Sequence, residues 1–184
     1  FRAVAWRLGP DSWTWPEERI AQRLQGLRFG LDGAGEATQL LLDGRALGPE
    51  IRTEEAGMWA SNVATLPVVR RFLKQAQQDL AKSASLVAEG RDMGSVVFPG
   101  ARHKFFLDAD PAERARRRAL QLRDMGREAD EAAILAQIQA RDLQDRTRAE
   151  APLKPADDAL VLDTTHLDLE EVFDAILAEI VGRA

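Results

Sequence analysis

Leu86-Val87-Ala88-Glu89-Gly90-Arg91-Asp92-Met93-Gly94-Ser95-Val96-Val97-Phe98-Pro99 is the stretch on which the reading of this chain turns. It opens with a short apolar run, which predicts a buried strand. Beyond that run, Gly90-Arg91-Asp92-Met93-Gly94 crowds glycine and charge together. In an open α/β sheet, the carboxyl end of a strand is where ligands sit. Arg91 offers a planar fork of donors suited to phosphate or carboxylate, and Asp92 can accept hydrogen bonds from an amine or a sugar hydroxyl. A nucleotide would satisfy both. A solvated turn with an ion pair has the same composition, so the pair alone leaves both readings open.

Downstream, Phe105-Phe106-Leu107 and Leu160-Val161-Leu162 predict two more core strands, separated from the first by helices. Asp110-Pro111-Ala112-Glu113 has the form of a capped helix start, with Glu113 reaching back to the cap. Because capping accounts for Asp110, Asp108-Ala109-Asp110 is not read as a metal site. The helix carries Arg114, Arg116, Arg117 and Arg118 and is interrupted at Gly126. A further helix is expected from about Asp130 to Arg148, burying Ile134, Leu135, Ile138 and Leu143. Asp168-Leu169-Glu170-Glu171 caps the last, with Val172, Phe173, Ile176, Leu177 and Ile180 facing inward. Three strands alternating with helices imply a parallel sheet covered on both faces.

Upstream, apolar residues at Phe1, Val4, Ala5 and Leu8 are spaced as on a helix, and Pro16-Glu17-Glu18 starts another that buries Ile20, Leu24 and Leu27. Between Leu27 and Leu47 the texture changes. Leu27–Leu31 and Thr38–Leu42, with turns at Asp32-Gly33-Ala34-Gly35 and Asp43-Gly44-Arg45, read as a small antiparallel excursion. Helices are expected from Thr53 to Val63 and from Pro67 to about Lys82, and Lys82-Ser83-Ala84-Ser85 leads into the central stretch.

Composition narrows the chemistry. The 184 residues carry a net charge of −5, which argues against a nucleic-acid surface. With no cysteine, neither a disulfide framework nor a thiolate zinc site can form, and two distant histidines leave little for a His metal site or a Ser-His-Asp triad. No apolar run reaches membrane-spanning length and no signal peptide opens the chain, so a cytoplasmic protein is expected. Lysine stands only at 74, 82, 104 and 154, leaving arginine at the other 21 of 25 basic positions.

Glu89-Gly90-Arg91-Asp92-Met93-Gly94-Ser95-Val96-Val97-Phe98-Pro99 resembles the signature of bacterial cytidylate kinases, nucleoside monophosphate kinases, and the resemblance runs on to the C-terminus. It implies an α/β fold, a three-layer parallel sheet of the P-loop nucleoside monophosphate kinase type with a small antiparallel nucleotide-binding insert and a short lid. The implied division is a core of 1–26, 66–113 and 131–184, a pyrimidine-monophosphate-binding insert at 27–65 and a lid at 114–130. The implied reaction moves the terminal phosphoryl group of ATP, with Mg2+, to CMP or dCMP. The protein is expected to be a monomer with no nucleic-acid or membrane partner.

Residue by residue, the resemblance assigns CMP contacts to Ser61 in Ala60-Ser61-Asn62, to Arg70 in Pro67-Val68-Val69-Arg70, and to Arg91 and Asp92. It adds Asp145 and Arg148 from Arg141-Asp142-Leu143-Gln144-Asp145-Arg146-Thr147-Arg148, and Arg2, which follows Phe1 where the family usually has tyrosine. Arg114, Arg117 and Arg118 match a lid pattern that closes over ATP. Arg91, Arg118, Arg141 and Arg148 are the implied catalytic arginines. By spacing alone the lid arginines also fit a solvated helix face, Asp145 and Arg148 a surface pair, and Ser61 a hydroxyl bonded to a helix carbonyl. The family's Gly-x-x-x-x-Gly-Lys-Ser/Thr phosphate loop does not occur, since no lysine here follows a glycine. Two expectations follow: the loop lies upstream in a complete kinase, or the chain is a catalytically silent pyrimidine-nucleotide binder.

Overall fold

Helices form where their capping residues stand. The Thr53 hydroxyl accepts from the Ala56 amide at 3.1 Å and opens the helix Glu54–Val63. Asp110 accepts from the Ala112 amide at 2.7 Å, and Asp130 from those of Ala132 and Ala133 at 3.0 and 3.2 Å. Asp168 and Glu171 exchange backbone-to-carboxylate bonds at 2.9 and 2.8 Å, a capping box. The computed structural model describes residues 1–33, 35–82, 85–149 and 151–182, without the Glu36 side chain. Ala34 of the expected Asp32–Gly35 turn, and Ser83-Ala84 ahead of the expected central strand, lie outside them.

Two compact units divide the chain, Phe1–Ala88 and Glu89–Ala184. The first runs α1 (Arg2–Leu8), α2 (Glu17–Gln25), β1 (Phe29–Asp32), β2 (Gln39–Leu42), β3 (Arg45–Ala46), α3 (Glu54–Val63) and α4 (Pro67–Leu80). Its strands form the expected antiparallel sheet in the order β1-β2-β3, with Phe29 opposite Leu42 and Asp32 opposite Gln39. Asp43 and Gly44, at φ 53 and 77, supply the paired left-handed residues of the β2–β3 turn, which is why Asp-Gly stands there. Ile20, Leu24, Val63 and Val69 are almost wholly buried in one apolar cluster with Val4, Ala5, Leu42 and Leu73. Each large side chain there contributes about 1.5–3 kcal/mol by leaving water.

The second unit holds β4 (Phe105–Asp108), α5 (Pro111–Asp124), α6 (Glu131–Thr147), β5 (Leu160–Asp163) and α7 (Leu169–Gly182). β4 and β5 pair in parallel, with Phe105 opposite Leu160 and Asp108 opposite Asp163. A parallel pair joined through helices makes this an α/β unit. Val97, Ala109, Ala115, Ala119 and Leu122 are buried within it. Among the described residues no helix is long and apolar enough to cross a membrane.

Several expectations need correction. Residues 86–89 do not form a strand; they have no regular secondary structure and are exposed, Val87 completely so at 101%. An apolar run needs a neighbouring ladder to satisfy its backbone, and no described strand pairs with it, so two parallel strands are seen where three were expected. Past the run, Met93–Val97 winds into a π-helical turn. Glu113 does not reach back to its cap but turns forward to Arg116 and Arg117, at 2.7 and 2.8 Å. Leu143 is 65% exposed and Phe173 61%, while Leu177 and Ile180 also face water and no residue of α7 is buried.

Candidate active site

Helix periodicity builds one side of the site. Arg141, Asp145 and Arg148 follow one another at intervals of four and three along α6 and its C-terminal cap, so they share a face. Asp145 is the one buried residue of α6. Arg148, at the cap, leaves the helix in extended conformation and donates from Nε to the Ala151 carbonyl at 2.7 Å. Its Nη1 donates to Asp145 Oδ1 at 3.1 Å. The Leu153 amide returns to the Asp145 carbonyl at 2.8 Å, so the chain folds back over the acid.

The signature builds the other side. The Asp92 carbonyl accepts from both Val96 and Val97 amides, at 2.9 and 3.1 Å, closing the π-helical turn that buries Asp92. Arg91 Nε lies 3.3 Å from Asp145 Oδ2, Arg141 Nε 3.9 Å from the same oxygen, and Arg148 Nη2 3.9 Å from Asp92 Oδ2. The structure thus brings together Arg91, Asp92, Arg141, Asp145 and Arg148, three guanidiniums around two buried carboxylates. This cluster has one positive charge in excess, and the Arg91 and Arg141 side chains are 41% and 57% exposed. It is suited to an anion that also carries hydroxyl or amine donors for the two acids.

The three lid-pattern arginines differ in what they hold. Arg114 makes a bidentate pair with Asp142, at 3.1 and 2.5 Å, and donates to the Ala109 carbonyl at 3.0 Å. The Arg114 bond holds the Asp142 carboxyl below the usual carboxylate range, against the opposing effect of burial. Asp142 in turn raises Arg114. Arg117 donates to Glu113, to the Thr164 hydroxyl and carbonyl, and to the Leu167 carbonyl, which commits its fork to the loop after β5. Arg118 is exposed and bonds Gln121 at 2.6 Å, one residue type a ligand could readily replace.

In the first unit, Arg2 donates to the Ile51 and Thr53 carbonyls at 3.0 and 2.7 Å, joining α1 to the start of α3. Gly57 makes room for it, since a Cβ there would lie 2.8 Å from the Arg2 guanidinium. Arg70 donates to the Ala64 carbonyl at 3.2 Å and lies 5.5 Å from the Phe1 ring centre. Ser61 sits on α3, half-buried.

Two residues around the site were not singled out from the sequence. Asp142 anchors Arg114, and the signal was its place beside Arg141, three residues before Asp145. Lys104 is buried, with Nζ 2.5 Å from Asp158 Oδ2, and the signal was that it is one of only four lysines among 25 basic residues. No cluster of three or more acids or histidines that could hold a metal occurs among the described residues.

Comparison with known proteins shows the family. The family model described as cytidylate kinase matches residues 14–181. The chain is 57% identical over 180 residues to a cytidylate kinase of Oleidesulfovibrio alaskensis, covering 98% of this chain and 82% of that protein. It is 54% identical over 179 residues to the cytidylate kinase of Maridesulfovibrio salexigens, covering 97% and 80%. To that of Haemophilus ducreyi it is 45% identical over 164 residues, covering 89% and 73%. A match this long, running through the signature turn and the Arg141–Arg148 face alike, places the chain in the cytidylate kinase family.

Proposed function

We propose that this protein transfers the terminal phosphoryl group of ATP to CMP or dCMP, giving CDP or dCDP. The observation that carries the reading is the gathering of Arg91, Arg141 and Arg148 around the buried carboxylates of Asp92 and Asp145. Phosphoryl transfer asks little covalent chemistry of a protein. It asks for positive groups that orient the acceptor phosphate and spread the charge developing on the moving group.

In this reading Arg91 and Arg148 take the phosphate of CMP, while Asp92 and Asp145 accept from its sugar hydroxyls and base amine. Arg141 adds charge beside Asp145 and, with Arg91, Arg118 and Arg148, neutralises the phosphoryl group as it moves. Arg2, Ser61 and Arg70 are further contacts to the pyrimidine nucleotide. Arg114, Arg117 and Arg118 serve the ATP side. Arg118 has donors to offer there, whereas Arg117 would first release Thr164 and Leu167. Magnesium enters as part of MgATP, where phosphate oxygens supply its ligands.

The α/β core is read as a three-layer P-loop nucleoside monophosphate kinase core of 1–26, 66–113 and 131–184, with an insert at 27–65 and a lid at 114–130. The antiparallel β1–β3 sheet inside 27–65 supports that partition. The protein acts as a cytoplasmic monomer without a nucleic-acid partner, in keeping with its net charge of −5.

Steady-state assays with ATP and each of CMP, dCMP and AMP test the reading. Turnover of the two cytidine nucleotides and not of AMP is expected, with Arg91→Ala lowering kcat/KM by about 100-fold. Equal turnover of AMP, or a fully active Arg91→Ala, overturns it.

A further inference from the structure

The geometry points to Lys104 as a positioning residue for CMP: its buried side chain braces the π-helical turn that presents Arg91 and Asp92. This rests on the nucleotide site proposed above.

Lys104 immediately precedes β4, and its carbonyl accepts from the Leu160 amide at 2.9 Å, so its backbone belongs to the β4–β5 ladder. Its side chain is 5% exposed and runs across the signature. A Cβ on Gly94 would stand 3.3, 3.5 and 3.6 Å from Lys104 Cδ, Cγ and Cβ, so the methylenes lie against the bare α-carbon of that glycine. Gly94 is the second residue of the π-helical turn, and Asp92 caps it through its own carbonyl. At the far end, Lys104 Nζ is 2.5 Å from Asp158 Oδ2, whose side chain is 66% exposed.

One continuous brace therefore runs from the ladder, over Gly94, to an anchor at the surface. Its slim stem packs against Gly94, where an added Cβ would press on the methylenes at 3.3 Å. A guanidinium is wider and planar, so arginine at this position would shift the stem on Gly94 to meet the same carboxylate. Composition speaks to the same point: arginine fills 21 of the 25 basic positions, yet lysine stands here. Catalysis by positioned charge is sensitive to small displacements, so a brace packed on Gly94, two residues along the turn from Asp92, acts on substrate affinity.

The test uses Lys104→Arg, which keeps the charge and widens the stem, and Asp158→Asn, which removes the anchor at an exposed position. Both are measured in the full chain beside Arg91→Ala, with KM for CMP, KM for ATP, kcat and melting temperature. Lys104→Arg is expected to raise KM for CMP about 10-fold, and Asp158→Asn about 3-fold, with KM for ATP held within twofold. A lowered melting temperature with unchanged KM for CMP in both variants overturns the inference, leaving Lys104 a packing residue. Should Lys104→Arg not fold, Asp158→Asn decides alone: an unchanged KM for CMP refutes the brace. If Arg91→Ala itself leaves KM for CMP and kcat unchanged, the nucleotide site fails. If Arg91→Ala impairs the enzyme and the other two do not, only the brace fails.

Discussion

Replacing Asp145 by alanine tests whether the basic cluster is organised by its acids. The carboxylate accepts one hydrogen bond from Arg148, at 3.1 Å between side chains 15% and 12% exposed. Charged hydrogen bonds in such surroundings contribute about 2 kcal/mol. Arg91 at 3.3 Å and Arg141 at 3.9 Å add less, because their side chains are 41% and 57% exposed and water screens them; about 0.5 kcal/mol each is appropriate. The expected loss is about 3 kcal/mol, which for a chain of this size lowers Tm by about 6–12 °C. Asp145→Asn keeps an acceptor for Arg148 and should lose about half as much. Thermal melts at low and high salt separate the contributions. The Arg148 share should persist in salt, while the Arg91 and Arg141 shares fade. A Tm within about 2 °C of the parent for Asp145→Ala would refute the reasoning.

Other outcomes follow from neighbouring residues. A double-mutant cycle on Arg114→Ala and Asp142→Ala should give a coupling of about 2 kcal/mol by denaturant unfolding, since the pair is bidentate and mostly buried; additive losses would contradict this. Arg116, then Arg117, holds the Glu113 carboxyl down at about 2, from an ordinary 4.5. A depressed folded-state value stabilises above the unfolded one, so this contribution is complete above about pH 4.5 and is lost as pH falls toward about 2. Asp142 behaves likewise below its ordinary 3.8. Melting temperature should therefore fall with acid over that window, and less so in Glu113→Gln. Ser12 is wholly buried with no hydrogen-bond partner for its hydroxyl among the described residues. Ser12→Ala should accordingly raise stability by about 1 kcal/mol in urea unfolding, and a loss would show that the hydroxyl is satisfied.

What was legible in the sequence is what neighbours in the chain decide. Asp110-Pro111, Thr53, Asp130 and Asp168 declare their helices through bonds that span three or four residues, and Asp43-Gly44 declares its turn through φ. Asp145 and Arg148 were readable as a pair from helical spacing in the same way, while the place of Arg141 beside them came from the family resemblance. Residues 86–89 were not, because an apolar run becomes a strand only when a distant segment supplies its ladder. Leu143 and Phe173 sit at positions whose periodicity predicts burial, yet burial depends on what packs against the helix, which periodicity does not specify. Lys104 was hidden for a related reason. Its partners, Gly94 and Asp158, lie 10 residues before and 54 after it, and only the fold sets them on one line.

Cytidine monophosphate is expected to lie in the cluster formed by the signature turn and α6. A crystal structure of the protein with CMP tests that most directly. The phosphate is predicted within hydrogen-bonding distance of the Arg91 and Arg148 guanidiniums, with Asp92 and Asp145 accepting from sugar or base. A bound CMP that leaves the Arg91–Asp145 and Arg148–Asp145 pairs untouched, its phosphate held by other residues, would contradict the account.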